Sequence, residues 1–389
     1  MPPKKTLNKP LLPVSFKRTA ADGRYQRRIS ATRSTKIPER RGSGAPANSD
    51  RLHRVDEQEV LNERVRQVTG WSEVGRIRVI KDTSDCMRIQ RGHVLCLGDR
   101  EFVIEGNRHE TRFGIGDQPK YWVFAAIDLN SGKRFILKTV FHEEFTVHIG
   151  LFKVRCYRSP QKEAEVLNLV RGDHRFMQGY TELDTSGNQV RIIDYIRGPS
   201  IFQYIHNCQK SHEAYFYEDL PGMLHKLTGC MEAIKFLHDH GTCHGDIRND
   251  HVIIEADTGA YRWIDFDLNQ HVSDFDVWSM GNILNYAVGQ GINSFHTILK
   301  GDRFSESVKS SLKPEDGSAF YEYRVINLVK LFPYIPRRLN AILMHFAIKP
   351  RGSYSTMDQL LDDYREMLQT DFPIPGAGTG ATLDEDRNE

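Results

Sequence analysis

Apolar residues in the region after position 90 fall in short runs that alternate with turn-forming residues. Residues 93–97 and 101–105 flank a Gly-Asp dipeptide, and residues 121–127 and 134–140 flank Asn-Ser-Gly. Apolar, β-branched and aromatic runs joined by such turns are typical of β-hairpins. The pattern therefore predicts two hairpins of a small antiparallel sheet, the second of which contains Lys138 on an otherwise apolar strand.

Helical spacing follows this sheet. Residues 160–170 repeat apolar positions at helical intervals, with Ser159 placed to cap the helix and Pro160 at its first position. A strand is predicted over 190–196, and the segment 224–240 again has apolar residues at helical spacing. We therefore expect an α+β, bilobal protein in which a small antiparallel β lobe with one helix precedes a larger, mainly helical lobe.

Two aspartates lie at the ends of a further predicted hairpin. Residues 251–254 and 261–264 are apolar runs joined by a polar turn. Folding this hairpin brings Asp246, which precedes it, and Asp265, which follows it, to the same end. One carboxylate can then orient an attacking hydroxyl and accept its proton, while the other holds a Mg²⁺ ion that neutralises nucleotide phosphates. The pattern indicates a phosphotransferase.

Composition favours a water-soluble protein with a substantial core. The chain has 389 residues, of which 39% are hydrophobic, and it contains neither an apolar run long enough to cross a bilayer nor an apolar signal segment at its basic N-terminus. The six cysteines are scattered without a C-x-x-C pair, which argues against a zinc site or a disulfide framework. We therefore expect a cytoplasmic location.

Charge is spread unevenly along the chain and helps to set the expected domain boundaries. Residues 1–50 carry twelve Lys or Arg against three acidic residues, although the whole chain is only +2. We predict a basic disordered tail over 1–52, an N-terminal lobe with a preceding β extension over 53–190, a helical lobe over 191–372 and a flexible acidic tail over 373–389. The basic tail is either a solvated extension or an arm that contacts an acidic partner.

The motifs between residues 90 and 370 resemble, in their order, the protein kinase-like superfamily. The triplet His-Gly-Asp that ends at Asp246 is similar to the H-R-D of its catalytic loop, or to the H-G-D of aminoglycoside phosphotransferase-like kinases. The triplet Asp-Phe-Asp that begins at Asp265 is similar to D-F-G. The resemblance implies a bilobal kinase fold, ATP and Mg²⁺ or Mn²⁺ as cofactors, Asp246 as the catalytic aspartate and Asp265 as a metal ligand.

Further matches correspond to other positions of that superfamily. Lys138 stands where a strand lysine binds the α and β phosphates, and Glu163 matches its helical partner, with Glu165 as the alternative. Asp276, at the start of Asp-Val-Trp-Ser-Met-Gly, resembles the aspartate that braces the catalytic loop. The nucleotide-binding residues implied by the resemblance are Lys138, Glu163, Gly106 of the phosphate loop, and Asp194 and Ile196 of the hinge that pairs with adenine.

Three features depart from the pattern of the superfamily near the phosphates. Its compact glycine-rich loop is replaced by glycines spread over a longer loop, 107–118, and its flanks. His251 occupies the position of a metal-binding asparagine; it either binds a metal ion or packs at the start of a strand, and Asn249 or Asp250 could serve instead. Arg248 stands where Ser/Thr kinases carry a lysine near the γ-phosphate, which favours protein hydroxyls as acceptors.

Other departures concern regulation. Asp267 replaces the glycine of D-F-G and adds a carboxylate near the metal. Only ten residues separate Asp265 from Asp276, too few for a full activation segment, and Gly245 removes the arginine that clamps a phosphorylated activation loop in the superfamily. We therefore expect no switch by phosphorylation of residues 268–275.

The expected function is transfer of the γ-phosphate of ATP to a hydroxyl by a divergent Ser/Thr-type protein kinase, with autophosphorylation as an open question. The expected catalytic residues are Asp246, Arg248 and Lys138, and the expected metal ligands are Asp265 and His251. The alternatives are a small-molecule kinase that resembles aminoglycoside or choline phosphotransferases, and a nucleotide-binding pseudokinase scaffold. The full set of lysine, glutamate and two aspartates argues against the scaffold.

Overall fold

The computed structural model describes residues 48–112, 115–149, 152–269, 275–350 and 352–374. Within them the protein is of the α+β class, as the hydrophobic pattern predicted. A mostly antiparallel sheet is built from the first half of the chain, and most of the helices follow it.

The short apolar runs of the sequence form the strands. They are β1 (Val79–Ile80), β2 (Val94–Leu97), β3 (Arg100–Arg112), β4 (Ile115–Asp128), β5 (Arg134–Lys138), β6 (Glu144–Ile149), β7 (Phe152–Arg158), β8 (Gly179–Leu183), β9 (Gln189–Asp194), β10 (Val252–Ile254), β11 (Tyr261–Trp263) and β12 (Leu268–Asn269). The main sheet has the order β1-β2-β3-β4-β5-β9-β8, in which only β1 and β2 pair in parallel. One face of this sheet carries an apolar core of its own.

The first helix packs in a separate apolar cluster beside the sheet, and the helices that follow it share a second, larger core. The helices are α1 (Asn48–Thr69), α2 (Pro160–Leu169), α3 (Ile201–His206), α4 (His212–Glu218), α5 (Leu220–Asp239), α6 (Phe275–Val288), α7 (Phe295–Lys300), α8 (Glu306–Ser311), α9 (Arg337–Met344) and α10 (Met357–Asp371). α2 begins where predicted, because Oγ of Ser159 accepts the backbone N–H of Lys162 at 3.1 Å and Pro160 needs no donor partner in the first turn.

The three predicted hairpins are confirmed. β2 pairs with β3 across the Gly-Asp turn, β4 pairs with β5, and β10 pairs with β11 in antiparallel register. In the last of these, Val252 faces Trp263. The loop that carries Asp246 precedes β10, and Ile264 follows β11. Both therefore lie at the same end of this short hairpin.

Residues 107–112 and 115–118, expected as a loop, lie in two paired strands instead. β3 continues to Arg112 and β4 begins at Ile115, and the backbone groups of the two strands pair with each other over most of these residues. The pairing of β3 with β4 contains several shifts in register. One of them lies at Gly106, whose φ of +151° is accessible because glycine has no Cβ.

Residues 53–69 are helical, although the sequence analysis placed them in a β extension. They belong to α1, in which Leu61, Val65 and Val68 recur at helical intervals and pack against Val103 of the sheet and its neighbours. Burial of such a stripe stabilises a surface helix more than intrinsic propensity does. The same helical spacing is visible in the sequence, and the prediction of a β extension did not take it into account.

An unpredicted hairpin is inserted between β5 and α2. Its strands β6 and β7 pair with each other, and β7 also pairs with β12, where Arg158 faces Leu268. Only Ser159 separates Arg158 from the start of α2. This small sheet therefore connects α2 to β12, the strand that follows Asp265 in the chain.

Residues 1–47 and 375–389 lie outside the described residues, so most of each predicted tail stays a prediction, as does the cytoplasmic location. The same holds for residues 270–274, most of the segment for which we expect no phosphorylation switch. Residues 48–52, which were assigned to the basic tail, lie in α1 instead. In the described part of the chain, no helix combines the length and the apolar character that crossing a bilayer requires.

Candidate active site

A buried ion pair links the main sheet to α2. Lys138 is the last residue of β5, and its backbone lies opposite that of Arg191 in the neighbouring strand β9. Its Nζ donates to Oε1 of Glu163 at 2.6 Å, and both side chains are almost completely buried. Glu165, the alternative partner, is on the exposed side of α2. The helix therefore presents Glu163 to Lys138.

Glu163 has a second cationic partner that the sequence analysis missed. Nε of Arg191 donates to Oε2 of Glu163 at 3.1 Å, while its Nη2 donates to the backbone oxygen of Thr139. Each oxygen of the buried carboxylate thus has a donor, as a buried charge requires. Removal of one cation from such a network costs about 3–5 kcal/mol. The signal in the sequence was an arginine inside the apolar run 190–196.

Asp265 contacts the same lysine from the other side. Its Oδ1 accepts from Nζ of Lys138, and its Oδ2 accepts from Nζ of Lys120 at 3.0 Å. Burial opposes ionisation, but the charges of Lys120 and Lys138 outweigh it and hold the pKa of Asp265 well below its usual value. The backbone at Asp265 has φ +72°, a left-handed conformation that is uncommon outside glycine and is found most often at functional sites.

His251 lies between the two aspartates. Its Nδ1–H donates to the backbone oxygen of Asp246 at 2.7 Å, so the lone pair of the neutral ring is on Nε2. Nε2 accepts from Nη2 of Arg248 at 2.8 Å and lies 3.4 Å from Oδ2 of Asp265. Nδ1 is 3.8 Å from Oδ2 of Asp246. One imidazole therefore adjoins both carboxylates, which the hairpin brings to the same end.

The carboxyl group of Asp246 is ionised at neutral pH. Burial opposes ionisation, but the charges of Arg248 and Arg158 outweigh it and lower the pKa. The side chain is 16% exposed, so one edge of the carboxylate can meet another molecule. A carboxylate in this state can accept a hydrogen bond from a hydroxyl, and then its proton.

The first turn of α6 holds the loop that carries Asp246. Asp276 accepts the backbone N–H groups of His244 at 2.7 Å and Gly245 at 2.9 Å, and Nε2 of His238 approaches it to 3.1 Å. Burial opposes ionisation of Asp276, yet its hydrogen bonds with His238 and with the backbone N–H of Gly245 outweigh it and lower the pKa. The resemblance implied a brace at this position, and the geometry provides one.

A buried lysine on α2 clamps the same loop. Nζ of Lys162 donates to the backbone oxygens of His244 at 2.9 Å and Leu268 at 2.6 Å. Between them lies Gly245, with φ +84°, where a Cβ would approach the oxygen of Leu268 to 2.2 Å. Helix α2, the loop and β12 are thus joined at one point. Lys162 was not among the predicted site residues; its signal in the sequence was its place four residues before the buried Val166.

Asp267 is neutralised by an arginine at the end of β7. Nη1 of Arg158 donates to Oδ1 of Asp267 at 2.7 Å, and Nε donates to Glu143 at 2.9 Å. The N–H of Ser159 donates to the backbone oxygen of Asp267 at 2.6 Å. The carboxylate that we expected near the metal is therefore paired with Arg158, whose buried Nη2 has no hydrogen-bond partner among the described residues.

A cleft of about 270 Å³ adjoins the glycine predicted for the phosphate loop. Arg134, in its wall, and Lys138 are four residues apart on β5 and so project from the same face of the sheet. The residues that line the cleft are Glu105, Gly106, Asn107, Arg108, Ala125, Arg134 and Tyr195. The cleft and the buried lysine are therefore on one side of the sheet.

The predicted hinge runs along the edge of this cleft. Tyr195, which lines it, stands between Asp194 and Ile196. The N–H of Asp194 donates to the backbone oxygen of Gln178 at 2.9 Å, so this group is not open to a ligand. Ile196 is half-buried against the helical core. Of the predicted nucleotide-binding residues, Gly106 thus lines the cleft. Asp194 and Ile196 do not line it, but they flank Tyr195, which does.

A metal ion at this site would have few protein ligands. The residues that the structure describes contain no group of three or more His, Cys, Asp or Glu suited to a metal ion. Asp265 and Nε2 of His251, 3.4 Å apart, form a donor pair, although Arg248 engages Nε2 at 2.8 Å just as it engages Asp250 at 3.0 and 2.9 Å. The carboxylate of Asp265, completed by phosphate oxygens and water, suits Mg²⁺ or Mn²⁺ that binds together with a nucleotide, whereas an imidazole suits softer ions better.

The sequence matches no model of a known protein family, and no curated protein is significantly similar to it. A fold by itself does not determine function, so the chemistry has to be inferred from side chains and distances. The side chains brought together here are a buried lysine, an ionised aspartate on a fixed loop, and a second aspartate next to an imidazole lone pair.

Proposed function

We propose that the chain is an ATP-dependent phosphotransferase with a bilobal, protein kinase-like fold, and that it transfers the γ-phosphate to Ser or Thr hydroxyls of proteins. The proposal rests on one observation above all: the ammonium group of Lys138 is buried in contact with both Glu163 and Asp265. A lysine held from two sides is positioned to bind phosphates, and such positioning is most of what phosphoryl transfer asks of a protein.

Asp246 would assist the transfer step. The acceptor hydroxyl donates a hydrogen bond to the ionised carboxylate, and its oxygen forms a bond to the γ-phosphorus while the bond to the bridging oxygen of ADP breaks. The hydroxyl proton passes to Asp246. Lys138 would balance the charge on the α and β phosphates, and Arg248, 28% exposed on the same loop, would meet the γ-phosphate.

Asp265 and His251 would hold the metal ion in the complex. When bound, Mg²⁺ or Mn²⁺ supplies charge neutralisation of the phosphate oxygens. The hydrogen bond from Nδ1 of His251 to the loop keeps the lone pair on Nε2, 3.4 Å from Oδ2 of Asp265, where a metal ion would replace the N–H of Arg248.

Incubation of the full chain with γ-labelled ATP and Mg²⁺ or Mn²⁺, followed by mass spectrometry, tests this proposal. We expect phosphate on Ser or Thr residues of the chain itself or of an added protein. Asp246→Asn should reduce transfer by about 10²–10⁴-fold, because the proton acceptor is lost, while ATP binding measured by calorimetry stays close to that of the wild type. Asp257→Asn, an exposed change in the turn of the same hairpin, is the matched control. Undiminished transfer by Asp246→Asn would refute the assignment.

A small-molecule kinase, similar to aminoglycoside or choline phosphotransferases, is the second candidate. It is favoured by the short connection between Asp265 and Asp276, of which the described part is already paired with β7, so that little chain is left to dock a protein segment. Label on small hydroxylated amines, and on no protein, would select this candidate. ATP binding without any transfer by the wild type would select a nucleotide-binding scaffold instead.

A further inference from the structure

Both oxygens of the Asp265 carboxylate are occupied by ammonium groups. Lys138 contacts Oδ1 and is also held by Glu163, so its position does not depend on Asp265 alone. Lys120 contacts Oδ2 at 3.0 Å, the same oxygen that lies 3.4 Å from Nε2 of His251. Lys120 therefore lies beside the donor pair that a metal ion would use.

An irregularity of β4 brings Lys120 to this position. Asn107 of β3 faces Phe124, but the next residue, Arg108, faces Lys120, so residues 121–123 have no partner on β3. The side-chain amide of Asn107 donates to the backbone oxygen of Lys120 at 3.3 Å across this bulge. Extra residues in one strand re-aim the side chains that follow, and such bulges are frequent next to active sites.

We propose that Lys120 is a counter-ion that occupies the metal position: it neutralises Asp265 in the nucleotide-free protein and moves to the nucleotide phosphates when a metal–nucleotide complex binds. This inference rests on the proposed function. Lysine suits such a role because its charge is compact and its four-carbon chain can swing without movement of the strand.

The balance of charge gives the reason for the exchange. A buried carboxylate is costly without a cation, and Lys120 and Lys138 supply that charge while no nucleotide is bound. A divalent ion at Asp265 repels the nearby ammonium group of Lys120, whereas phosphate oxygens attract it. A metal ion alone must therefore compete with Lys120, while a metal ion bound to a nucleotide brings the group that receives this lysine.

Lys120→Gln should shift the binding of two ligands in opposite directions. Mn²⁺ alone, followed by electron paramagnetic resonance, should bind about tenfold more tightly than to the wild type, because the competing charge is gone. The Mn²⁺–ADP complex, followed by calorimetry, should bind about tenfold more weakly, because the phosphates lose a cation. A lysine with only a structural role would weaken both or change neither.

Three further variants complete the experiment. Lys120→Arg keeps the charge and should retain the weak Mn²⁺ binding of the wild type; Lys120→Met is a second neutral variant should the glutamine variant not fold; and Lys300→Gln, on the exposed side of α7, should change neither ligand. Shifts of the same sign in the neutral variants, or no shift, overturn the role of Lys120. Failure of the wild type to bind Mn²⁺–ADP would instead refute the proposed function itself.

Discussion

The charges of Lys138, Glu163 and Asp265 show how single residues define this site. Every oxygen of the two carboxylates accepts from a lysine or an arginine, within a region from which water is largely excluded. A buried network of this kind has a fixed geometry only while it is complete, since loss of one member leaves an uncompensated charge. The precision of the site is therefore a property of paired residues, and of close backbone contacts such as that at Gly245.

Gly245→Ala adds a single methyl group but should strongly reduce both activity and stability. The alanine Cβ would meet the backbone oxygen of Leu268 at 2.2 Å, and the residue would keep an unfavourable φ of +84°. We expect loss of phosphoryl transfer together with a lower free energy of unfolding, measured by urea denaturation. Gly187→Ala is the control, because φ is +79° there but no atom lies within 4 Å. It should cost about 1 kcal/mol and leave transfer intact. Equal effects of both changes would contradict the close contact at Gly245.

At the scale of secondary structure, the junction of α2, β7 and β12 determines how the parts of the site are held together. The helix supplies Glu163 and Lys162, and the strand before it supplies Arg158. Through Glu163 and Lys162, α2 contacts the lysine of β5, the loop that carries Asp246 and the strand after Asp267. A shift of this one helix would therefore disturb all three of these elements at once.

Lys162→Met should uncouple these elements. Two backbone oxygens, of His244 and Leu268, would lose a buried donor, at a cost of about 1–3 kcal/mol for each. We expect slower phosphoryl transfer, and faster hydrogen exchange in the loop 243–249 and in β12. Glu165→Gln, on the exposed side of the same helix, should leave both unchanged. Unaltered exchange in Lys162→Met would show that the clamp is not needed to hold the loop.

Buried histidines make the stability of the whole molecule depend on pH. Nε2–H of His212 donates to the backbone oxygen of Val288 and Nδ1 accepts from the hydroxyl of Tyr334, and burial lowers the pKa of His212 to about 4. Burial likewise lowers the pKa of His244, in the loop that carries Asp246, to about 3. Both rings are therefore neutral in the folded protein at pH values where the unfolded chain would protonate them.

The free energy of unfolding should fall as pH is lowered from about 6.5 to about 4. In that range the unfolded state binds protons that the folded state does not, so each histidine contributes a slope of up to about 1.4 kcal/mol per pH unit. Urea denaturation at a series of pH values measures this slope. His212→Gln should reduce it, while His206→Gln, an exposed change, should not. An equal slope in wild type and His212→Gln would contradict the neutral, buried state of His212.

The extent to which the molecule could be predicted depended on how far apart the interacting residues are in the chain. The three hairpins and the start of α2 follow from turn residues, a helix cap and helical spacing, which neighbouring positions display, whereas the pairing of Lys138 with Glu163 was implied by the resemblance to the kinase-like superfamily. β6, β7 and α1 were missed, and the region of Gly106 was taken for a loop. In these segments the deciding factor is a partner strand or an apolar face supplied by another part of the chain.

The sequence by itself determined the α+β class, the order of the motifs and the meeting of Asp246 and Asp265, since each depends on local patterns of apolar, turn and capping residues. Only the tertiary structure decided which cations surround the carboxylates: Lys120 lies 145 positions from Asp265, and Arg158 lies 109 from Asp267. Polar side chains at isolated positions carry no periodic signal. Their partners are set by the need to neutralise buried charge after the elements have packed.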